Sequence, residues 1–356
     1  MPAVARPLVL VDADVLGRRR TGDESYVANV LRELGRLDDG PRVAAITRAP
    51  DLVPPGIEAI RLDVRSQVAR LAWRLGRAVR RCQPALAHFQ YVIPGGCTVP
   101  AAVTVHDISF EKFPELLPVH DRIAMRALVP RAMRRSRVVF TVSDWSKREI
   151  LELYDDLDPD KIVVTPNGVD PAFQSDGPTP DRRPYLLFVG ALQPRKDPGT
   201  AVEALARLGD LDLDLVLVGP AKQRVPAVAE RVSALHLEKR VHHRGYVTQG
   251  ELAALYRGAE CLMFPSLHEG FGLPLVEAMA SGTAVVAASS GALPEVAGGA
   301  AVLVPPSDPD ALAEGVRTAL SDRSRLVALG LARAAQFTWA ETARRTAAAY
   351  QAVLSA

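Results

Sequence analysis

The chain has 356 residues, 48% hydrophobic, 24% charged and only 5% aromatic, with 43 basic against 41 acidic side chains. This length exceeds what a single core fills, so two domains of ordinary size are expected, and the composition excludes disorder and a disulfide scaffold. A formal charge of +2 is too small to attract a polyanion by net field, so nucleic acid is not an expected partner.

Met1 to Pro7 run into the apolar Leu8-Val9-Leu10-Val11 with no long apolar core or cleavage signature, so no targeting peptide is expected. Pro7 to Asp12 reads as a strand, Asp23 to Leu37 as a helix, Val43 to Thr47 as a strand and Gln67 to Arg81 as a helix. Ala85 to Tyr91, Ala101 to His106 and Arg137 to Ser143 follow as strands, then a helix from Asp144 to about Tyr154 and a strand from Lys161 to Thr165. Short apolar runs that lead into segments of helical period are the pattern of parallel strands covered on both faces.

Residues 175–184 are polar, Pro-rich and without periodicity, which marks a linker. The alternation then restarts. Strands are expected at Tyr185 to Gly190, Leu213 to Gly219, Val241 to Tyr246, Glu260 to Pro265, Ala284 to Ala287 and Ala301 to Val304. Helices are expected at Gly199 to Leu208, Val225 to Leu235, Gln249 to Gly258 and Pro274 to Ser281. The expected fold is α/β: two Rossmann-like domains, 1–174 and 185–338, facing each other across an interdomain cleft, with 339–356 a helix crossing back to the first. Ligands of such folds bind at the carboxyl ends of the strands.

The most informative stretch runs from Phe264 to Gly282 and contains His268-Glu269-Gly270-Phe271-Gly272-Leu273-Pro274. A strand passes through a glycine-spaced loop into a helix whose first turn tolerates Pro274. Glycines at 270 and 272 let a ligand approach the backbone, and the free N–H groups at the helix start favour a diphosphate or sugar hydroxyls. Glu269 and Glu277 frame this loop, and carboxylates accept hydrogen bonds well from neighbouring hydroxyls. In Gln193-Pro194-Arg195-Lys196-Asp197 two adjacent cations at a strand end are placed to neutralise a developing diphosphate charge. His106 closes the strand Thr104-Val105-His106-Asp107, a position where histidine chemistry is often sited.

These residues resemble the Glu-x7-Glu region and its companions in the retaining glycosyltransferases of family 4, the group 1 glycosyltransferases with the GT-B fold. The resemblance covers essentially the whole second domain: Val189-Gly190 to Asp197, Val218-Gly219-Pro220, Gly245-Tyr246-Val247, Leu252 to Tyr256 and Ser289 to Val296 fall in the family's order. It implies that Glu269 contacts the donor sugar and Glu277 the ribose, and that the backbone of Gly270, Phe271, Gly272 and Leu273 lies near the sugar and diphosphate. Arg195 and Lys196 would stabilise the leaving group, His106 would approach the sugar, and Gly190, Tyr246 and Val247 would complete the donor site.

The pairing of His106-Asp107-Ile108 with Gln193 to Asp197 is most like bacterial mannosyltransferase members, which implies GDP-mannose as donor, with a UDP-hexose second. No cofactor and no metal are implied. Acceptors would be a glycan, a lipid-linked saccharide or a small molecule. Val142 to Ser146 and Pro166 to Asp170 match further family positions, and are also readable as a helix cap and a turn. Where relatives have a glycine-rich loop, this chain has Arg18-Arg19-Arg20-Thr21-Gly22-Asp23-Glu24-Ser25-Tyr26. Gly22 is kept as a ligand-approach position, while Asp23 and Glu24 oppose phosphate and suit a helix start or acceptor hydroxyls.

Cys82, Cys97 and Cys261 show no zinc or disulfide spacing. With no apolar run of about 18 residues, the expected setting is cytoplasmic. Asp12-Ala13-Asp14 and Asp212-Leu213-Asp214 are discounted as metal sites, the second as acids facing solvent at a strand start. Between Arg61 and Arg81 stand seven arginines and one acid, and a second basic run spans Arg131 to Arg137. These are solvated helix faces or, in the alternative, a surface for peripheral contact with an anionic membrane. Two rival functions stay open, a sugar-nucleotide 2-epimerase of the same fold and a non-catalytic nucleotide-sugar-binding protein.

Overall fold

Each half of the chain builds one parallel sheet. The computed structural model describes residues 6–18, 21–180, 183–221 and 225–356; the chain start, Arg19 and Arg20 of the basic loop, Asp181 and Arg182 of the expected linker, and residues 222–224 lie outside the described residues. The chain divides into unit 1, Met1–Gly168 with Thr338–Ala356, and unit 2, Val169–Phe337.

Unit 1 contains β1 (Leu8–Asp12), α1 (Thr21–Leu34), β2 (Arg42–Thr47), β3 (Glu58–Arg61), α2 (Gln67–Ala69), α3 (Leu75–Cys82), β4 (Leu86–Gln90), β5 (Ala101–Thr104), α4 (Ser109–Lys112), α5 (Val119–Arg135), β6 (Val138–Thr141), α6 (Asp144–Leu153) and β7 (Ile162–Val164). Unit 2 contains β8 (Tyr185–Val189), α7 (Pro198–Arg207), β9 (Asp214–Val218), α8 (Val225–Ala234), β10 (Val241–Gly245), α9 (Gln249–Gly258), β11 (Cys261–Phe264), α10 (Leu273–Ala280), β12 (Ala284–Ala288), α11 (Leu293–Ala297), β13 (Val302–Val304), α12 (Pro309–Ser321) and α13 (Arg323–Ala334). The last helix, α14 (Trp339–Ser355), returns to unit 1 and packs on α1.

The strand orders are β3-β2-β1-β4-β5-β6-β7 and β10-β9-β8-β11-β12-β13. Both reverse direction next to their first strand, between β1 and β4 and between β8 and β11, and such switch points open a crevice at the carboxyl ends of the strands. The central strands are buried on both faces, which is why their sequences are continuous Val, Leu and Ala runs instead of alternating ones.

Three expectations need correction. The helix expected from Gln67 to Arg81 is interrupted by a π-helical turn, Arg70–Arg74. There the Leu71 carbonyl accepts from Gly95 N (2.7 Å), and Gly76 and Gly95 bring two backbones so close that neither has room for a side chain. The turn delivers Arg70, 1% exposed, onto Asp12 and Asp14. Arg70 is thus a core ion-pair residue and not part of a solvated face. In the second basic run the solvated-face reading holds, since Arg131, Arg134, Arg135 and Arg137 are all exposed, although Arg134 pairs with Asp156 and Arg135 donates to the Cys97 carbonyl. Finally, of the two acids expected to face solvent only Asp212 does, its side chain 83% exposed beside Arg183; Asp214 is 5% exposed and lies 2.9 Å from His242 Nε2. The elements β3, α4, α5, α11, α12 and α13 were not anticipated, α12 despite its clear helical spacing of buried Leu312, Ala313, Val316 and Ala319.

The Asp-x-Asp at the end of β1 is occupied by guanidinium groups. Asp14 pairs with Arg18, Arg48 (2.9 Å) and Arg70. Burial raises the Asp14 pKa, an effect that these arginines offset only in part. The loop onward to α1 is pinned by Gly17 N donating to Glu24 Oε1 (2.7 Å). Glu24 therefore holds the loop, as an acid in the first turn of a helix also suits the dipole.

Candidate active site

Unit 2 gathers its polar side chains at the β8–β11 switch. After β8 the chain makes a short 3-10 turn, Pro194–Lys196, and passes through Asp197 at φ 50°. The Asp197 carboxylate then caps α7, accepting from Thr200 N and Oγ1 (3.3 and 2.7 Å). This cap fixes Arg195 and Lys196 at the crevice. Gly190 borders the aliphatic part of Lys196, where a Cβ would make ordinary van der Waals contact with Lys196 Cγ at 3.5 Å.

After β11 comes the loop carrying Glu269, which is 7% exposed. Its Oε1 accepts from Lys196 Nζ and from Ser266 Oγ (2.5 Å), and Oε2 lies 3.6 Å from Arg195 Nη1. Arg195 Nη1 also donates to the His268 carbonyl (2.6 Å). Burial alone would push the Glu269 carboxyl up, but Lys196, Arg195 and the two hydrogen bonds outweigh it and hold it below the ordinary glutamate value. The result is a dry carboxylate clasped by two cations, with the Lys196 ammonium 5.5 Å from the centre of the Phe264 ring.

The backbone of Glu269 is held from the other side. Ala292 N donates to the Glu269 carbonyl (2.9 Å). Gly291, at φ 57°, comes so near that an added Cβ would lie 2.6 Å from Glu269 O and 2.8 Å from its N. Sequence reasoning placed residues 289–296 in the family pattern without giving them this task, which follows from tertiary contact alone, and it missed Ser266, whose bond to Glu269 is local.

At the start of α10, Gly272 at φ 98° forms the N-cap position and Pro274 lies in the first turn. Phe271 is a core residue, 4% exposed, with its ring edge-on to Phe337 at 5.3 Å, so only its backbone is available to a ligand. Glu277 accepts a hydrogen bond from Tyr256 Oη (2.9 Å). Burial pushes its pKa up to about 7, the Tyr256 bond opposing and Asp170 adding to the rise. The two glutamates are therefore poised oppositely, Glu269 as a carboxylate and Glu277 at the edge of protonation near neutral pH. Tyr246, 57% exposed, and Val247 follow Gly245, where β10 leaves its register with β9.

In unit 1 the corresponding end of the sheet carries His106. Its Nε2 lies 3.1 Å from Gln90 Oε1 and 3.9 Å from Asp23 Oδ1. The rings of Tyr26 and Tyr91 flank it at 4.7 and 5.7 Å, and Tyr91 sits at φ 61°, a conformation rarely adopted by a bulky residue away from functional sites. Gln90 is a partner that the sequence did not reveal. Gly22, in the first turn of α1, has nothing within 4 Å of where its Cβ would be, so no packing among the described residues demands glycine there. No group of three or more metal-ligating side chains exists among the described residues.

Comparison with known proteins matches residues 170–334 to the model described as glycosyl transferases group 1 and residues 20–173 to that described as glycosyltransferase family 4. The chain is 31% identical over 268 residues to the O-antigen chain mannosyltransferase B of Escherichia coli, covering 70% of each chain. It is 37% identical over 243 residues to a D-inositol 3-phosphate glycosyltransferase of Kineococcus radiotolerans, covering 59% of this chain and 55% of that one. Among solved structures, Anabaena Alr3699/HepE in complex with UDP and glucose aligns with a TM-score of 0.77 at 19% identity, over 97% of this chain and all of that one.

Proposed function

Since the chain belongs to the glycosyl transferases of group 1, we propose that it moves a hexose, with retention of configuration and without a metal, from a nucleotide-diphosphate sugar to an acceptor hydroxyl on a glycan or lipid-linked saccharide. The observation that carries this reading is the buried Glu269 carboxylate clasped by Arg195 and Lys196 at the β8–β11 switch. A diphosphate leaving group gathers negative charge as the glycosidic bond breaks, and preorganised cations in a dry site stabilise that charge without reorganisation. Glu269 then does two things: it sets the cations in place and it accepts from sugar hydroxyls. The N–H groups of Gly270 to Leu273 and the positive end of α10 add fixed dipoles toward the phosphates. On the front-face route the departing diphosphate takes the acceptor proton. Glu277 accepts the ribose diol, and Tyr246 with Val247 borders the base.

GDP-mannose is the donor favoured here. The supporting likeness is to a mannosyltransferase, and a UDP-hexose is second. A panel of nucleotide sugars is to be screened by thermal shift and by release of nucleoside diphosphate, with and without EDTA. GDP-mannose is expected to give the largest rise in unfolding temperature, with release unaffected by EDTA. Because the diol donates to the ionised Glu277, affinity should tighten as pH rises through about 7 and level off above it. Binding without release under any acceptor condition would turn the reading to a non-catalytic binder, and a strict divalent-ion requirement would overturn the metal-free mechanism.

Peripheral contact with an anionic membrane is proposed for the surface of the segment from Arg65 to Arg81. There Val68 and Trp73 are 78% and 58% exposed beside the exposed Arg74, Arg77 and Arg81, the mix of apolar and basic groups that interfacial helices use. No helix of the described residues is long and apolar enough to cross a membrane. Co-sedimentation is expected with vesicles containing anionic lipid; equal binding to neutral vesicles would remove the electrostatic reading.

A further inference from the structure

Two residues before Gln90 and before His106, the same strands of unit 1 carry a second polar pair. Side chains two apart on a strand share a face, so His88 and Gln90 form one column on β4; the register aligns Gln90 with Thr104 at the end of β5, and His106 follows two residues beyond that strand. His88 is 1% exposed. Its Nε2 lies 2.7 Å from Thr104 Oγ1, and its Nδ1 lies 2.5 Å from the hydroxyl of Tyr350 on α14. Thr104 Oγ1 lies in turn 3.4 Å from the hydroxyl of Tyr26, whose ring stands edge-on to His106. Thr346 of α14, fully buried, lies near the Tyr26 phenol.

The chain of contacts runs from the C-terminal helix through His88 and Thr104 to Tyr26 and ends on the His106 ring, with every member before His106 buried. Burial, and to a smaller degree His106 itself, pushes the His88 pKa down to about 3, so the imidazole is neutral. A neutral imidazole donates from one nitrogen and accepts at the other. His88 therefore couples its two hydrogen bonds, one nitrogen donating when the other accepts, and a sealed, satisfied polar network of this kind rigidifies its members. A hydrophobic side chain would fill the same volume at no polar cost, so packing by itself does not explain histidine at 88, threonine at 104 and tyrosine at 350.

We propose that His88 and Tyr350 are positioning residues for His106, which makes the C-terminal helix part of the machinery that orients this histidine. This rests on the role given above to His106 in sugar transfer. Tyr350→Phe deletes one hydroxyl and keeps the ring against His88 and Phe140. The variant is expected to lower kcat by about tenfold to a hundredfold, the loss associated with small misplacements of a reacting group, while the donor KM stays within about twofold of wild type. Combining it with His106→Ala should cost no more than His106→Ala alone, since residues acting through one group are not additive.

A readout independent of activity is the imidazole nitrogen NMR spectrum of the ligand-free full chain, in which the His106 ring signals should shift in Tyr350→Phe. His88→Leu, which removes both hydrogen bonds and leaves a side chain in the buried site, takes its place with the same expected losses if Tyr350→Phe does not fold. Wild-type kcat in the variant, losses that multiply with His106→Ala, or unchanged His106 signals would each overturn the proposal. A wild-type chain that transfers no sugar from any donor would defeat the proposed function, and the NMR experiment would still decide the positioning role.

Discussion

Glu269→Gln is expected to lower sugar transfer on the order of 10² to 10³-fold, the loss seen when a preorganised electrostatic partner is removed from an active site. Glutamine keeps the shape and an oxygen for Ser266, so the loss would come from charge. With a neutral amide at 269, Lys196 and Arg195 lose the anion that aims them, and the donor sugar loses its strongest hydroxyl acceptor. The stability change has a defined sign. The Glu269 pKa is held below its ordinary value, so the carboxylate contributes stability that is fully present above the ordinary glutamate pKa and disappears as pH falls through the depressed one. Unfolding temperatures of wild type and Glu269→Gln should therefore differ at pH 7 and converge in acid. Near-normal turnover in a folded Glu269→Gln protein would defeat the assignment.

Gly291→Ala should approach the same loss of activity without touching a charged group. The single added methyl meets the peptide of Glu269, and backbone atoms cannot swing away as a side-chain tip does. Alanine at φ 57° also carries roughly 1 to 2 kcal/mol of left-handed strain. Either Glu269 moves or residues 289–292 do, and in the second case the Ala292 to Glu269 hydrogen bond is lost. Turnover is expected to fall by about a hundredfold with a measurable drop in unfolding temperature. Retained turnover would mean that the Glu269 loop is held from the Lys196 side alone.

Both sheets were legible in the sequence because their central strands are unbroken apolar runs; the capping box of Thr248 and Glu251 that starts α9 emerges only from the structure. The edge strand β3 was not: its side chains are mostly exposed, so the sequence there lacks an apolar run. Helix α5 was hidden by Pro130 in its interior and by exposed apolar residues such as Val119 and Ile123, which blur a helical period. In the candidate site, Glu269, Glu277, Arg195, Lys196 and His106 stood out because charged groups beside glycines are chemically conspicuous. Gln90 and Tyr256 were silent, being ordinary polar residues whose importance lies in a partner further along the chain, and Ser266, three residues before Glu269, is a common loop residue whose hydrogen bond leaves no mark in the sequence. The π-helical turn was silent as well, because it is imposed by a glycine contact from residue 95.

The chain leaves unit 1 after Gly168 and re-enters it at Thr338, and at this junction Gly168 lies directly against the backbone of Thr338 and Trp339. Unit 2 is thus an insertion within unit 1, and this orders events during synthesis. A ribosome delivers the seven strands of the first sheet well before Tyr350, Thr346 and Trp339, so α1 and the polar column around His88 wait uncovered while all of unit 2 is made. Unit 2, contiguous in the chain, has no such wait and can complete its fold first, against the usual N-to-C order. The nascent first sheet is the species most exposed to misassociation, and α14 is the segment whose arrival ends that exposure.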